Sequence, residues 1–448
     1  MKRNLFLVVL IAYQLCQVNA QTLTGIDSVY LSGLSGFTKN INNIKDQVWP
    51  GMKIGPYCCF RQNGPAFVIN HTTPPLNAKQ AGIGIYVLKQ SELGLNGATQ
   101  TEINGILTAH NDYGQPLYST INQYYAELFH ELHHVYQRNY IKNLKYDNIA
   151  DLLTYPENFI NNGIKQYENE ILLQLFEGDP KKFNENINLF YTCRNKRLSI
   201  IGSKNLDYEK AAESVEGPAM YCEYQYLQLF KSQPKELEFI HNRYLYSVIE
   251  PEYSRDKLRA KCLFTGLIQC LILSKHINDW QGEFYASGLY LNEFFLSKFK
   301  HQLTVLPDLS SYVSKSKYFT QEAIQKHVDH LSEFNKQNGL KIILDFHTTP
   351  DFKGFDPMNA EAINDSTILH TTLLKLGNNN NWLNFTNYKV VSSISDQIWY
   401  IKSLSFFLSN KSSFLKEDRL IYKDHDIDIN WKIQKVIKGV NEYVFLLE

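Results

Sequence analysis

Residues 117–140 read LYSTINQYYAELFHELHHVYQRNY, and this stretch decides how the surrounding chain is interpreted. It contains neither proline nor glycine, so no residue in it interrupts a helix. Leu128 and Leu132 belong to an apolar stripe at helical spacing, while His130 and His134 belong to a polar stripe on another face. The pattern predicts one long helix with a buried side and a polar side.

Within this predicted helix, residues 130–134 read HELHH and contain the pattern H-E-x-x-H. Residues i and i+4 share a helix face, so the imidazoles of His130 and His134 can bind one Zn²⁺. The carboxylate of Glu131 can take a proton from a water on that metal. We interpret His133 as a neighbour of this site. The competing interpretation is a polar helix face whose histidines form ordinary hydrogen bonds.

A catalytic zinc site needs a third protein ligand and one open position. No third histidine follows at the H-E-x-x-H-x-x-G-x-x-H spacing, because residue 140 is a tyrosine. The later stretch 211–224, AAESVEGPAMYCEY, offers glutamates instead. Glu216 and Glu213 are both candidates, one helical turn apart. The competing interpretation of this stretch is an acidic, solvated helix face.

Part of this stretch resembles the E-G-x-A-x-Y-x-E pattern of the gluzincin metallopeptidases, such as the M1 aminopeptidases; the matching residues are Glu216, Gly217, Ala219, Tyr221 and Glu223. The resemblance implies that Glu216 is the third zinc ligand, with Glu213 as its rival. It also implies that Glu223 contacts one of the zinc ligands without binding the metal itself. It covers only this stretch and H-E-x-x-H. The two motifs lie further apart than in those aminopeptidases, and no G-x-M-E-N exopeptidase motif is visible.

Two further features of the site follow from this resemblance. Pro218 has no counterpart in the gluzincin pattern, but it is compatible with a helix that begins at a Ser214 cap, because the first four amides of a helix lack partners. Gluzincins often use a tyrosine or histidine of a later helix to stabilise the developing oxyanion. Tyr285 and Tyr290 are candidates for this role, with Tyr285 preferred; the alternative for each is a packing role.

The distribution of strand and helix patterns predicts an α+β fold. Short apolar and β-branched runs separated by Gly, Pro and Asn indicate a β-rich N-terminal region over residues 21–115. Helical patterns dominate residues 116–335, and strand patterns return over 336–448. We therefore expect a zincin-like catalytic unit, with a small β region and a mostly helical part, followed by a β-rich C-terminal domain.

The first twenty residues predict export. Lys2 and Arg3 precede an apolar run from Leu5 to Ala12, and Val18-Asn19-Ala20 ends in a small residue, as a signal-peptidase site does. The alternative is an N-terminal membrane anchor, but the run is too short to span a bilayer comfortably. No later segment is apolar enough to do so. We therefore expect a secreted or periplasmic protein with no stable membrane span after signal cleavage.

Charge and cysteine usage restrict the partners and the scaffold. The formal net charge is zero, so no basic surface favours nucleic acid. Six cysteines follow the signal segment, and in an oxidising compartment some of them could pair. They are too few to form the main scaffold, and they show no zinc-site spacing such as C-x-x-C.

The sequence thus favours an exported zinc metallopeptidase that hydrolyses a peptide or protein substrate, with Glu131 activating a zinc-bound water. One alternative is an exported binding protein on a degenerate zincin scaffold. The other is a surface or interaction protein whose function lies in the β-rich C-terminal domain.

Overall fold

A computed structural model describes residues 23–115, 118–251, 254–356, 359–395, 399–408 and 414–447. The predicted signal segment lies outside these ranges. The described residues form a mixed α+β fold, as predicted, with a large helical part and a β-rich C-terminal region. None of the described helices has the length and apolar character that crossing a bilayer requires.

The N-terminal region opens with a helix that the prediction of a β-rich segment did not include. Helix α1 spans Gly25–Val48, and it buries an apolar face that contains Leu34 and Phe37. At its first turn the Asp27 carboxylate accepts hydrogen bonds from Thr24, from Arg61 and from the Tyr113 hydroxyl. Burial raises the pKa of Asp27, but these donors outweigh it and lower that pKa to about 2. Asp27 therefore anchors the start of α1 as a carboxylate.

A six-stranded sheet follows within the described ranges; its strands are β1 (Tyr57–Phe60), β2 (Pro65–Ile69), β3 (Lys79–Gly82), β4 (Ile85–Lys89), β5 (Thr99–Ile103) and β6 (Ile106–Asp112), with a short helix α2 (Gln90–Leu93) after β4. The strand order is β3-β4-β2-β1-β6-β5, so β5 lies at one edge. Asn104 and Gly105 join β5 to β6 with φ of 46° and 73°, as a two-residue hairpin turn requires. Strand β1 pairs with β6 in parallel, and the other pairs are antiparallel.

The helical part follows; its elements are α3 (Ile121–Tyr140), α4 (Ile149–Leu153), α5 (Phe159–Glu177), a 3₁₀ turn (Pro180–Lys182), α6 (Phe183–Gln228), α7 (Pro234–Phe239), a π-helix (Ile240–Tyr246), α8 (Arg255–His276), α9 (Trp280–Ser287), α10 (Leu291–Ser297) and α11 (Ser310–Asn335). Helix α6 packs against α3 on one side and against α8 on another. Helix α3 also packs on strand β6, which joins the sheet and the helices in one core.

Helix α6 corrects the expectation that a helix begins at Ser214. The break in this helix lies earlier, at Gly202, whose φ of 77° and ψ of 168° are not helical. Ser214 lies inside the following helical run and donates its hydroxyl to the carbonyl of Lys210. Pro218 is therefore an interior residue, and it has no amide to donate to the carbonyl one turn earlier.

The C-terminal region forms a second sheet of twelve strands within the described ranges; they are β7 (Leu340–Phe346), β8 (Phe352–Phe355), β9 (Ala360–Asn364), β10 (Thr367–His370), β11 (Leu373–Gly377), β12 (Trp382–Thr386), β13 (Val390–Ile394), β14 (Ile401–Leu408), β15 (Leu415–Lys416), β16 (Arg419–Lys423), β17 (Ile427–Lys438) and β18 (Glu442–Leu447). This sheet has its own core, which includes Phe385, Trp431 and Phe445. The Arg255 guanidinium, at the start of α8, donates to the carbonyls of Leu153 and Ala362 and so connects the two parts.

The cysteines of the described residues do not form the disulfides that we considered. The free and buried thiols are those of Cys58, Cys59, Cys193, Cys222, Cys262 and Cys270. The described fold is therefore held together by its cores and its polar contacts.

Candidate metal centre

Side chains from two packed helices converge on one point. His130 and His134 come from α3, and Glu216 comes from α6. The two His Nε2 atoms are 3.0 Å apart, and each lies 3.3 Å from Glu216 Oε2. All three residues are at most 7% exposed. The structure thus brings together the three residues that the sequence analysis selected as metal ligands.

The separations of these three atoms fit a zinc ion. In a tetrahedral site with bonds of about 2.0–2.1 Å to nitrogen and oxygen, the ligand atoms lie about 3.3 Å from one another. The observed separations are 3.0, 3.3 and 3.3 Å. Two imidazoles and one carboxylate are also a ligand set that catalytic zinc commonly uses. The cluster therefore has the spacing and the chemistry of a three-ligand zinc site.

The outer ring nitrogen of each histidine lies close to a side-chain oxygen. His130 Nδ1 lies 3.2 Å from Glu223 Oε2, and His134 Nδ1 lies 2.7 Å from Gln137 Oε1. The Gln137 amide nitrogen donates to the carbonyl of Val215, so its oxygen is the atom that faces His134. With a proton on each Nδ1 atom, both Nε2 lone pairs would be free for an ion placed between them and Glu216. A cation at their meeting point satisfies all three groups.

Charges around the cluster favour an ionised carboxylate at its centre. Burial raises the pKa of Glu216, but His134 and Arg259 outweigh this effect and hold that pKa well below its usual value. Burial lowers the pKa of His130, but the neighbouring carboxylates Glu216 and Glu223 outweigh it and hold that pKa well above its usual range. The pocket is thus built to stabilise positive charge between these side chains.

Glu131 follows His130 on α3 and is 7% exposed. The amide nitrogen of Gln100, on edge strand β5, donates to Glu131 Oε2. This contact joins the candidate base to the sheet edge, and nothing in the sequence spacing pointed to Gln100. Gln100 is a neutral side-chain donor that holds this carboxylate in place.

Glu213, the rival ligand, lies in a different cluster. Its Oε1 accepts from Arg194 Nη2 at 2.5 Å and from the Thr265 hydroxyl at 2.8 Å. The cluster is a buried ion network between α5 and α6; its other members include Lys165, Glu168, Arg197 and Glu209. Glu213 therefore serves as a counter-ion of Arg194, and among the described residues the metal-capable group contains Glu216 instead.

Tyr285 contacts His133 and Gln137. Its hydroxyl lies 2.8 Å from His133 Nε2 and accepts from the Gln137 amide at 3.0 Å. The other ring nitrogen of His133 lies 3.2 Å from Cys222 Sγ, so His133 is a neighbour of the site, as interpreted. Tyr285 thus holds Gln137, which contacts His134 Nδ1, and its role at a reacting oxygen stays a prediction. Tyr290, the other candidate, lies at the start of α10 beside lysine side chains.

Glu223 supports His130 and is itself held by the π-helix. The Tyr244 hydroxyl donates to Glu223 Oε1, and Arg243 Nε lies 3.5 Å from the same oxygen. Glu127 lies one turn before Glu131 on α3, and burial is the largest of the effects that raise its pKa to about 7. Sequence analysis missed Tyr244, Arg243 and Glu127. A π-helical turn is common beside functional sites, but its position cannot be read from residue spacing.

The outer oxygen of Glu216 has a partner of its own. Arg259 Nη2, from α8, lies 2.5 Å from Glu216 Oε1, and Arg259 Nε lies 3.4 Å from Asp147 Oδ2. Asp147 belongs to the segment that joins α3 to α4. Sequence analysis missed both residues because neither is near H-E-x-x-H or Glu216 along the chain.

Comparisons with models of protein families, with curated proteins and with solved structures found no match to this chain. The functional interpretation therefore depends on the chemistry of the cluster around His130, His134 and Glu216.

Proposed function

We propose that this protein is a zinc-dependent metallopeptidase that hydrolyses peptide bonds. The observation that carries the proposal is the buried cluster of His130, His134 and Glu216, with ligand atoms at zinc-like separations and Glu131 adjacent in sequence. The gluzincin-like stretch around Glu216 supports it independently. Export stays part of the proposal and rests on residues 1–20 alone.

The residues of the cluster have distinct roles in this proposal. His130, His134 and Glu216 hold the metal, and Glu223 and Gln137 orient the two imidazoles. When bound, zinc polarises the scissile carbonyl and lowers the pKa of a water molecule toward about 7. Glu131 would take a proton from the attacking water and pass it to the leaving amine.

The open edge of the N-terminal sheet supports a peptide as the substrate. Among the described residues, strand β5 lies at the edge of the sheet and pairs with β6 alone, so its other side has no partner strand. An extended peptide can pair with such an edge by strand addition. Gln100 lies on β5 and reaches Glu131, so a peptide on this edge would lie beside the candidate base.

Metal analysis of the purified chain tests the proposal. We expect one zinc per chain, because the cluster supplies three ligands to one ion. Purification without chelators that yields a folded, metal-free protein with no zinc affinity would refute it.

Matched glutamate substitutions test the ligand assignment. Glu216→Ala removes a ligand and should abolish tight zinc binding, measured by competition with a chelator. Glu213→Ala should leave the zinc affinity of the folded protein nearly unchanged, because Glu213 is paired with Arg194. Glu223→Gln should weaken zinc binding by about 10–100-fold, as losses of a ligand's partner do. Zinc loss in Glu213→Ala with retention in Glu216→Ala would contradict the assignment.

Zinc content alone does not separate a peptidase from a binding protein on a degenerate scaffold. Hydrolysis of a mixed peptide library, followed by mass spectrometry, does so. We expect cleavage by the zinc-loaded wild type and none by Glu216→Ala. A zinc-loaded wild type that retains peptides without cleaving them would favour the binding protein.

A further inference from the structure

The Glu216 carboxylate is divided between two partners. Its Oε2 faces the two histidine nitrogens, each at 3.3 Å, and its Oε1 faces Arg259 Nη2 at 2.5 Å. A charge-assisted hydrogen bond of this length is among the stronger contacts that a carboxylate makes. The Glu216 carboxylate therefore offers one oxygen to the cluster and has the other oxygen occupied.

The Arg259 guanidinium is itself held in place. Its Nε lies 3.4 Å from Asp147 Oδ2, and the side chains of Asp147 and Glu216 are each 8% exposed. Arginine presents its donors in a rigid planar fork, so contacts at Nε and Nη2 fix the orientation of the whole group. Asp147 thus orients Arg259, and Arg259 orients Glu216.

We propose that Arg259, oriented by Asp147, is a positioning residue that keeps Glu216 a one-oxygen ligand of the metal. The inference rests on the proposed zinc site. A carboxylate can bind a metal through one or both of its oxygens. A second oxygen on the metal would take up the position that a catalytic zinc site leaves open for water. Arg259 prevents this by engaging Oε1.

A purely structural role for Arg259 makes a different prediction. If Arg259 only neutralised buried carboxylates, any cation at this position would suffice, and the number of donor atoms on the metal would not depend on it. The test therefore needs a measurement of coordination as well as one of affinity. Co²⁺ supplies this measurement, because its visible absorption is intense with four ligands and weaker with five or six.

The experiment uses the full chain with Arg259→Gln, Arg259→Lys and a matched control, Arg138→Gln. Arg138 is an exposed arginine near the end of α3. Each protein is loaded with Zn²⁺ for chelator competition and with Co²⁺ for absorption spectroscopy. Arg259→Lys keeps the positive charge but loses the planar fork, so it supplies a folded test if Arg259→Gln does not fold.

We expect Arg259→Gln to show weaker Co²⁺ absorption than the control when both are fully loaded, because Glu216 Oε1 is then free to join the metal. We expect Arg259→Lys to recover only part of this change. An unchanged Co²⁺ spectrum in fully loaded Arg259→Gln would overturn the proposal. So would full recovery by lysine. A wild type without zinc would instead refute the proposed function.

Discussion

The contact between α6 and α8 offers a direct test of how the metal centre is assembled. Gly217, next to Glu216, faces Gly266 of α8. A Cβ at residue 217 would lie 2.6 Å from the Gly266 carbonyl carbon and 2.7 Å from its Cα. Both are backbone atoms, so no side-chain rotation can relieve the clash. Gly217→Ala must therefore move one helix away from the other.

The size of the effect follows from these distances. Ordinary contacts of a Cβ begin at 3.4 Å, so the helices must separate by about 1 Å. Overpacking of this kind costs about 1–3 kcal/mol of folding free energy. Glu216 moves with α6 and Arg259 with α8, so their contact should lengthen. We expect zinc affinity to fall by about 10–100-fold, as for other losses around a metal ligand.

Chemical unfolding and chelator competition measure the two effects separately. Gly36→Ala is the matched control, because Gly36 lies on an exposed position of α1 and a Cβ there would meet no heavy atom within 4 Å. We expect that control to bind zinc normally and to gain up to about 1 kcal/mol from helix propensity. If Gly217→Ala matches this control in stability and in zinc affinity, the close approach of α6 and α8 does not determine the geometry of the site.

Three further outcomes are expected. Glu131→Gln should keep its zinc, assayed by metal analysis, and lose about 10²–10⁴-fold in peptide hydrolysis; equal turnover would remove Glu131 from the mechanism. Chelation of zinc should lower the melting temperature, measured by calorimetry, because the ion binds the folded chain; an unchanged melting temperature would contradict this. The folded-state pKa of Asp27, about 2, lies below its usual 3.8. Its carboxylate therefore contributes about 2 kcal/mol to the free energy of unfolding above pH 3.8, and this contribution is lost as the pH falls toward 2. Asp27→Asn should flatten this part of a pH–stability curve, and an unaltered curve would contradict the anchoring role.

The metal cluster illustrates what a sequence can predict. His130 and His134 could be identified from the sequence, because helical periodicity alone places them on one face. Glu216 required a second motif, which favoured it over Glu213. The structure adds that Glu213 is paired with Arg194, on the same long helix. Arg259 could not be predicted, because its contact with Glu216 depends on how two distant helices pack.

Helix α1 shows a second limit. Gly33 and Gly36 weaken helix propensity within residues 25–48, so local preference alone gives no clear helix. Burial of Leu34 and Phe37 on the same face against the core decides the structure. Tertiary packing thus overrides propensity there, as it does at Pro218 inside α6.

Alkylation of the buried cysteines can report local opening of the fold. Alkylating reagents attack the thiolate, and burial raises the pKa of the Cys59 thiol to about 12 and that of Cys222 well above its usual value. Alkylation at neutral pH must therefore wait until the surrounding structure opens. Alkylation of Cys58 and Cys59 reports opening of the N-terminal sheet, whereas alkylation of Cys222 reports opening of the helices that carry the metal centre. No cysteine follows Cys270, so alkylation gives no information about opening of the C-terminal sheet.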